Sequence, residues 1–125
     1  MKGKGFSIRM WNCKSDYANN IEKLKNIVDE IIKLIKMKAI SDFLIGKGKE
    51  DMPGYSVIKM IETSHIALHS FTINNTFMLS VESCKDFDEN KLEDYVLQTF
   101  MPKGSNISVY DINIPVKVTQ EVKGD

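Results

Sequence analysis

Arginine is nearly missing from this 125-residue chain: Arg9 stands alone in a set of 17 Lys and Arg that balances 17 Asp and Glu. A formal charge of zero gives no field to draw the protein onto a polyanion, and one guanidinium leaves the bidentate phosphate and base-edge contacts of nucleic-acid binders almost unavailable. Nucleic acid is therefore not an expected partner. Long apolar runs are absent too: the basic start Met1-Lys2-Gly3-Lys4-Gly5 leads into an alternating segment, neither a signal nor a membrane span. A cytoplasmic location away from membranes is expected. Cysteine is scarce, and Cys13 and Cys84 can form at most one bridge; neither sits in a C-x-x-C pair, so zinc is not indicated, and in a reducing compartment each reads as a buried or reactive thiol.

What the chain does contain is patterned apolar residues, enough for one core, and residues 1–125 read as a single domain. Phe6, Ile8 and Met10 alternate with Ser7, Arg9 and Trp11 at the period of a half-buried strand. From Ser15 the spacing turns helical, with Leu24, Ile27, Val28, Ile31, Ile32 and Ile35 on one stripe, a cap at Ser15 or Asp16, and an end near Met37. Residues 39–45 read as a second strand and 46–51 as a loop. After the Pro53-Gly54 turn, residues 56–68 read as one extended stretch rich in β-branched and apolar side chains. Asn74-Asn75 supplies a turn, residues 76–83 alternate again, and Asp88 caps a second helix bearing Leu92, Tyr95, Val96 and Phe100, stopped by Pro102 and Gly104. Residues 105–118 form a last extended region, and the Lys123–Asp125 tail is expected to fray.

Placing Cys13-Lys14 on Cys84-Lys85 brings both strand-to-helix junctions into register and lays Ile21 on Leu92 and Leu24 on Tyr95. This internal β-α-β repeat predicts an α+β fold, a two-layer sandwich of a mostly antiparallel sheet with two helices on one face. Two helices cover only one face of such a sheet, so a homodimer is expected.

Chemistry-bearing residues concentrate at Ser64, His65 and His69, with Cys84 on the following strand. On a straight strand both imidazoles face one side and Ser64 the other, so Ser64 meets His69 only through a bend. A serine-hydrolase reading lacks the G-x-S-x-G turn and an orienting carboxylate. A metal site of two His and one Cys competes with the commoner role of a strand histidine as hydrogen-bonded packing, and Cys13 and the seven Met read as core filling.

The run Thr63-Ser64-His65-Ile66-Ala67-Leu68-His69, the strand Phe77 to Glu82 and then Ser83-Cys84-Lys85 resemble the core of the small prokaryotic S-adenosylmethionine decarboxylases. The strand ending in Cys13, the Pro53-Gly54 element and Ser56 extend the likeness to about residues 5–112. The resemblance implies self-cleavage between Thr63 and Ser64 and a pyruvoyl cofactor made from Ser64, whose ketone forms a Schiff base with the substrate amine and accepts the electrons released by decarboxylation. It implies further that His69 removes the Ser64 α-proton, that Ser56 holds the ester intermediate, and that Cys84 returns a proton to the substrate. His65 is left with a structural role. The implied function is conversion of S-adenosylmethionine to its decarboxylated form for polyamine biosynthesis.

Family members carry Pro-Glu after the second histidine, an aromatic residue before the Pro-Gly element and Glu before the processing serine; here these places hold Thr72-Ile73, Asp51-Met52 and Thr63. Nucleoside recognition is thus the part of the pattern that is altered, with Glu62 and Met52 the substrate-binding candidates. The same machinery acting on arginine or ornithine is the alternative, with Asp42, Asp51 and Glu62 as carboxylates for the basic group. An unprocessed, non-catalytic homologue serving as structural or regulatory partner is the other.

Overall fold

The computed structural model describes residues 2–113; the expected extended chain beyond 113 and the Lys123–Asp125 tail lie outside the described residues. Six strands, β1 (Lys2–Trp11), β2 (Leu44–Lys47), β3 (Tyr55–Ile61), β4 (Ser64–Phe71), β5 (Thr76–Ser83) and β6 (Gly104–Asn113), form one sheet in the order β2-β3-β4-β5-β1-β6. Every neighbouring pair is antiparallel. Two helices, α1 (Ile21–Leu34) and α2 (Glu89–Phe100), follow β1 and β5, the two strands that lie side by side in the sheet. The expected α+β two-layer architecture is what the chain adopts.

The alternation of each strand decides which residues meet the helices. Phe6, Ile8 and Met10 of β1, Val57 and Ile61 of β3, Ile66 and Leu68 of β4, and Phe77, Leu79 and Val81 of β5 are fully buried. Opposite them lie Leu24, Ile27, Val28, Ile31 and Ile32 of α1 and Leu92, Val96 and Phe100 of α2. Phe77 packs on Phe100 with ring centroids 4.5 Å apart, and Lys59 of β3 reaches Asp29 of α1 at 2.9 Å. Burying side chains of this size, at about 1.5–3 kcal/mol each, is the main force that holds the helices to the sheet.

Four expectations are corrected. The cap of α1 is Asn20, whose side chain accepts from the Lys23 N–H at 3.0 Å, not Ser15 or Asp16; Ser15 is instead buried in the loop before the helix. The helix ends at Leu34, where Lys36 enters the left-handed region (φ 59°), short of Met37. The second strand is not 39–45 but Leu44–Lys47, an exposed edge strand running into the expected loop, because only its backbone and not an apolar face engages β3. The stretch 56–68 is not continuous: it folds back on itself at Glu62-Thr63, with Ile61 facing Ser64 across a two-residue turn.

Candidate active site

The hairpin turn places Ser64 at the start of β4, half-buried, behind the exposed Glu62 and Thr63. Thr63 sits at φ 52°, a left-handed conformation that a β-branched residue adopts only under constraint, at a cost on the order of 1–3 kcal/mol. Its hydroxyl donates back to the Glu62 carbonyl at 2.7 Å. The Cys84 thiol, just past the end of β5, donates to the same carbonyl at 3.4 Å. Ser64, the strained Thr63 and Cys84 therefore meet at one end of the sheet.

Cys84 is held there by β1. Lys4 forms ion pairs with Asp86 at 2.8 Å and Glu89 at 2.5 Å and donates to the Phe87 carbonyl at 2.9 Å, latching the segment after Cys84 to the first strand. The hydrogen bonds to Lys4 hold both carboxyls below their ordinary range and raise the Lys4 ammonium above its own. Cys13, the counterpart in the other half of the chain, is buried and its thiol is pushed up to about 11 by desolvation, consistent with core filling.

Ser56 and His69 lie elsewhere. They face each other across β3 and β4, with Ser56 Oγ 2.6 Å from His69 Nδ1. Burial lowers the His69 pKa, favouring the neutral imidazole. Five residues of unbroken strand separate Ser64 from His69, about 16 Å, and the odd spacing puts them on opposite faces. The bend that would join them within one chain does not exist, since β4 keeps regular register with β3 and β5 throughout.

His65, Ala67 and His69 belong to the sheet face away from the helices, and the strand pairings arrange that face in cross-strand rows. One row reads Met60, His65, Glu82, Gly5, Tyr110; the next Ile58, Ala67, Ser80, Ser7, Ser108; the third Ser56, His69, Met78, Arg9, Asn106. In the first row the Tyr110 hydroxyl donates to Glu82 at 2.8 Å, its ring lying over Gly5 where a Cβ would collide with it. Burial, then the Glu82 carboxylate, raises the Tyr110 pKa. Neither Glu82 nor Tyr110 was visible as a site residue in the sequence; only the register shows that they flank the Ser64 end. Met52 lies beyond the third row with Phe71, Ile73 and Met78 in a shallow apolar depression, far from its own Ser64. Asp42 and Asp51 are exposed. Glu62 contributes its carbonyl to Cys84 from the turn itself. Among the described residues no helix is long and apolar enough to cross a membrane.

An adenosylmethionine decarboxylase from Aquifex aeolicus VF5 shares this fold at a TM-score of 0.76, covering 95% of this chain and 97% of that one at 16% identity. An arginine decarboxylase proenzyme of Caldivirga maquilingensis is 25% identical over 103 residues, 82% of this chain and 77% of the relative. The family model for S-adenosylmethionine decarboxylase spans residues 5–111, nearly the whole described structure, and the chain belongs to that family.

Proposed function

We propose that this chain is a decarboxylase that generates its own pyruvoyl group by cleavage between Thr63 and Ser64. The observation that carries the reading is the strained turn itself, with Thr63 held at φ 52° directly before the serine and the Cys84 thiol on the neighbouring carbonyl. Attack of Ser64 Oγ on the Thr63 carbonyl carbon exchanges the amide for an ester and frees the backbone from the left-handed conformation. Removal of the Ser64 α-proton then expels the Thr63 carboxylate, and water replaces the remaining nitrogen, releasing ammonia and leaving a ketone at residue 64. The donor set fits such a group: a half-buried position on an exposed turn, with a thiol within reach. Once formed, the ketone supplies an electron sink for the carbanion left by carbon dioxide. Cys84 returns the proton, a role supported by its position beside the turn and by the Lys4 latch on the segment that follows it.

The α-proton needs a base, and His69 of the same chain is about 16 Å away. A second copy supplies it. If two sheets stack by their open faces about a two-fold axis along the middle row, the row holding His69 of the partner subunit lies against the row of Met60 and His65, next to Ser64. The middle row is built for close approach over β4, β5, β1 and β6, with Ala67, Ser80, Ser7 and Ser108 there and the larger Ile58 and Leu44 only on β3 and the edge strand β2. The same operation sets the apolar depression around the partner's Phe71 beside the Ser64 end, where it offers a flat base somewhere to stack. This supports S-adenosylmethionine as the substrate. Arginine, the substrate in the name of the Caldivirga relative, is the second reading, favoured by the replacement of the ribose-binding and adenine-stacking positions by Thr72-Ile73 and Asp51-Met52.

Denaturing mass spectrometry of freshly purified protein tests cleavage: fragments 1–63 and 64–125 are expected, the second blocked to Edman chemistry. A single intact mass after prolonged incubation would overturn the proposal and leave the non-catalytic homologue. Release of labelled carbon dioxide from S-adenosylmethionine and arginine in parallel selects the substrate.

A further inference from the structure

The three rows of the open face contain only two side chains charged at neutral pH, and they are of opposite sign: Glu82 in the first row and Arg9, the single arginine of the chain, in the third. They stand on the adjacent strands β5 and β1, four residues apart along the strands, about 13 Å. Arg9 is exposed and, among the described residues, has no ion-pair partner; Glu82 holds the Tyr110 hydroxyl, leaving its second oxygen open. One cation and one anion at opposite ends of an otherwise neutral surface are self-complementary under a two-fold axis, because each end of one copy then faces the other end of its mate.

We infer that Arg9 of each subunit pairs with Glu82 of the other, two symmetry-related ion pairs that fix the register in which the two open faces stack. This rests on, and deepens, the two-subunit reading of the active site. The two-fold axis along the row of Ala67, Ser80 and Ser7 puts the partner's Arg9 over Gly5, one strand from Glu82. The Tyr110 ring covers Gly5 there and holds one oxygen of the carboxylate, giving the guanidinium a flat aromatic face to lie on as it reaches the open oxygen of Glu82. Stacked sheets lie ~10 Å apart, a gap that an extended arginine crosses. A guanidinium also offers paired donors to the open carboxylate oxygen and desolvates more readily than an ammonium, which fits an arginine here in a chain that otherwise uses lysine. A slip by one row would oppose Arg9 to a neutral row and strand both charges in the interface. The ion pair therefore selects the alignment that also carries the partner's His69 to Ser64.

Charge exchange tests this. Sedimentation of the full chain is compared for the parent, Arg9→Glu, Glu82→Arg and the double exchange Arg9→Glu/Glu82→Arg. Each single reversal is expected to weaken the dimer by about a hundred-fold or more, since symmetry repeats the clash twice, and the double exchange is expected to restore it. The milder Arg9→Gln and Glu82→Gln variants, which keep shape without charge, should each weaken the dimer and flatten its dependence on salt. A parent that sediments as a monomer, single reversals that dimerise like the parent, or a double exchange that fails to recover overturns the inference. Cleavage is read separately by mass: a chain that self-cleaves yet ignores the exchange refutes the ion pair alone, and a chain that obeys the exchange without cleaving refutes the decarboxylase reading alone.

Discussion

Thr63 offers the sharpest test of the link between backbone strain and cleavage. Replacing it by Gly removes the Cβ that disfavours φ 52°, and replacing it by Asn keeps a side chain of a type that tolerates the left-handed region. Of the roughly 1–3 kcal/mol stored at such a residue, Gly returns about 0.4–1 kcal/mol to the unfolded chain as conformational freedom. In a Ser64→Ala chain, which stays intact, the net gain of about 0.5–2 kcal/mol should raise the melting temperature by ~2–8 °C for a domain of this size. Asn should do at least as well as Gly, because it restores less freedom to the unfolded chain. With Ser64 present the same relief lowers the starting energy of the acyl shift without helping its product, so cleavage should slow by up to about thirty-fold, each 1.4 kcal/mol being a factor of ten. Scanning calorimetry and a cleavage time course read the two effects. If the intact Thr63→Asn chain melts no higher than its parent and the serine form cleaves at an unchanged rate, the turn stores nothing that processing uses.

The remaining expectations concern the two-part site. A Ser64→Ala chain and a His69→Ala chain should each stay uncleaved alone, whereas coexpression should cleave the His69→Ala chain through the base on its partner; mixtures that remain intact would place the base within one chain. Cys84→Ala should still yield both fragments while losing most carbon dioxide release, and equal loss of both would make the thiol a processing residue. Because Lys4 depresses the pKa values of Asp86 and Glu89, the latch stabilises the fold above their ordinary values of 3.8 and 4.5 and is lost as pH falls through the lower folded values. Labelling of Cys84 by a disulfide reagent active in acid, in a Cys13→Ala chain, should therefore step up below about pH 4, and Lys4→Met should remove the step. His69, lowered by burial from 6.5, adds stability above that value which is lost as pH falls through its folded pKa; a His69→Gln chain should show a flatter melting profile between pH 7 and pH 5.

The helical stripe of α1, the Asp88 cap, the alternation of β1 and β5 and the Asn74-Asn75 turn were all legible, because each is set by residues near in sequence. Burial of alternate residues needs no knowledge of the neighbouring strand. The Asn20 cap was missed for a local reason: Ser15 and Asp16 are equally good caps by sequence, and only the tertiary burial of Ser15 and Ala18 carries the chain past them to Asn20. Edge strand β2 was misplaced because it buries no side chain, so no apolar pattern marks its ends.

The turn at Glu62-Thr63 escaped for a more instructive reason. Neither residue carries turn chemistry, and a Gly or Asn at position 63 would have announced the hairpin at once. A chain selected only for stability has no use for threonine at φ 52°; among the described positive-φ residues Thr63 alone is β-branched, and it stands where the backbone is proposed to break. The geometry of the site follows the same logic. Spacing alone puts Ser64 and His69 on opposite faces and about 16 Å apart along β4; with the register known, that distance becomes an argument about which chain supplies the imidazole. A strand cannot bring residues five apart to one point, but two copies related by a two-fold can, provided that the facing rows are small where the sheets touch and opposite in charge where they must not slip.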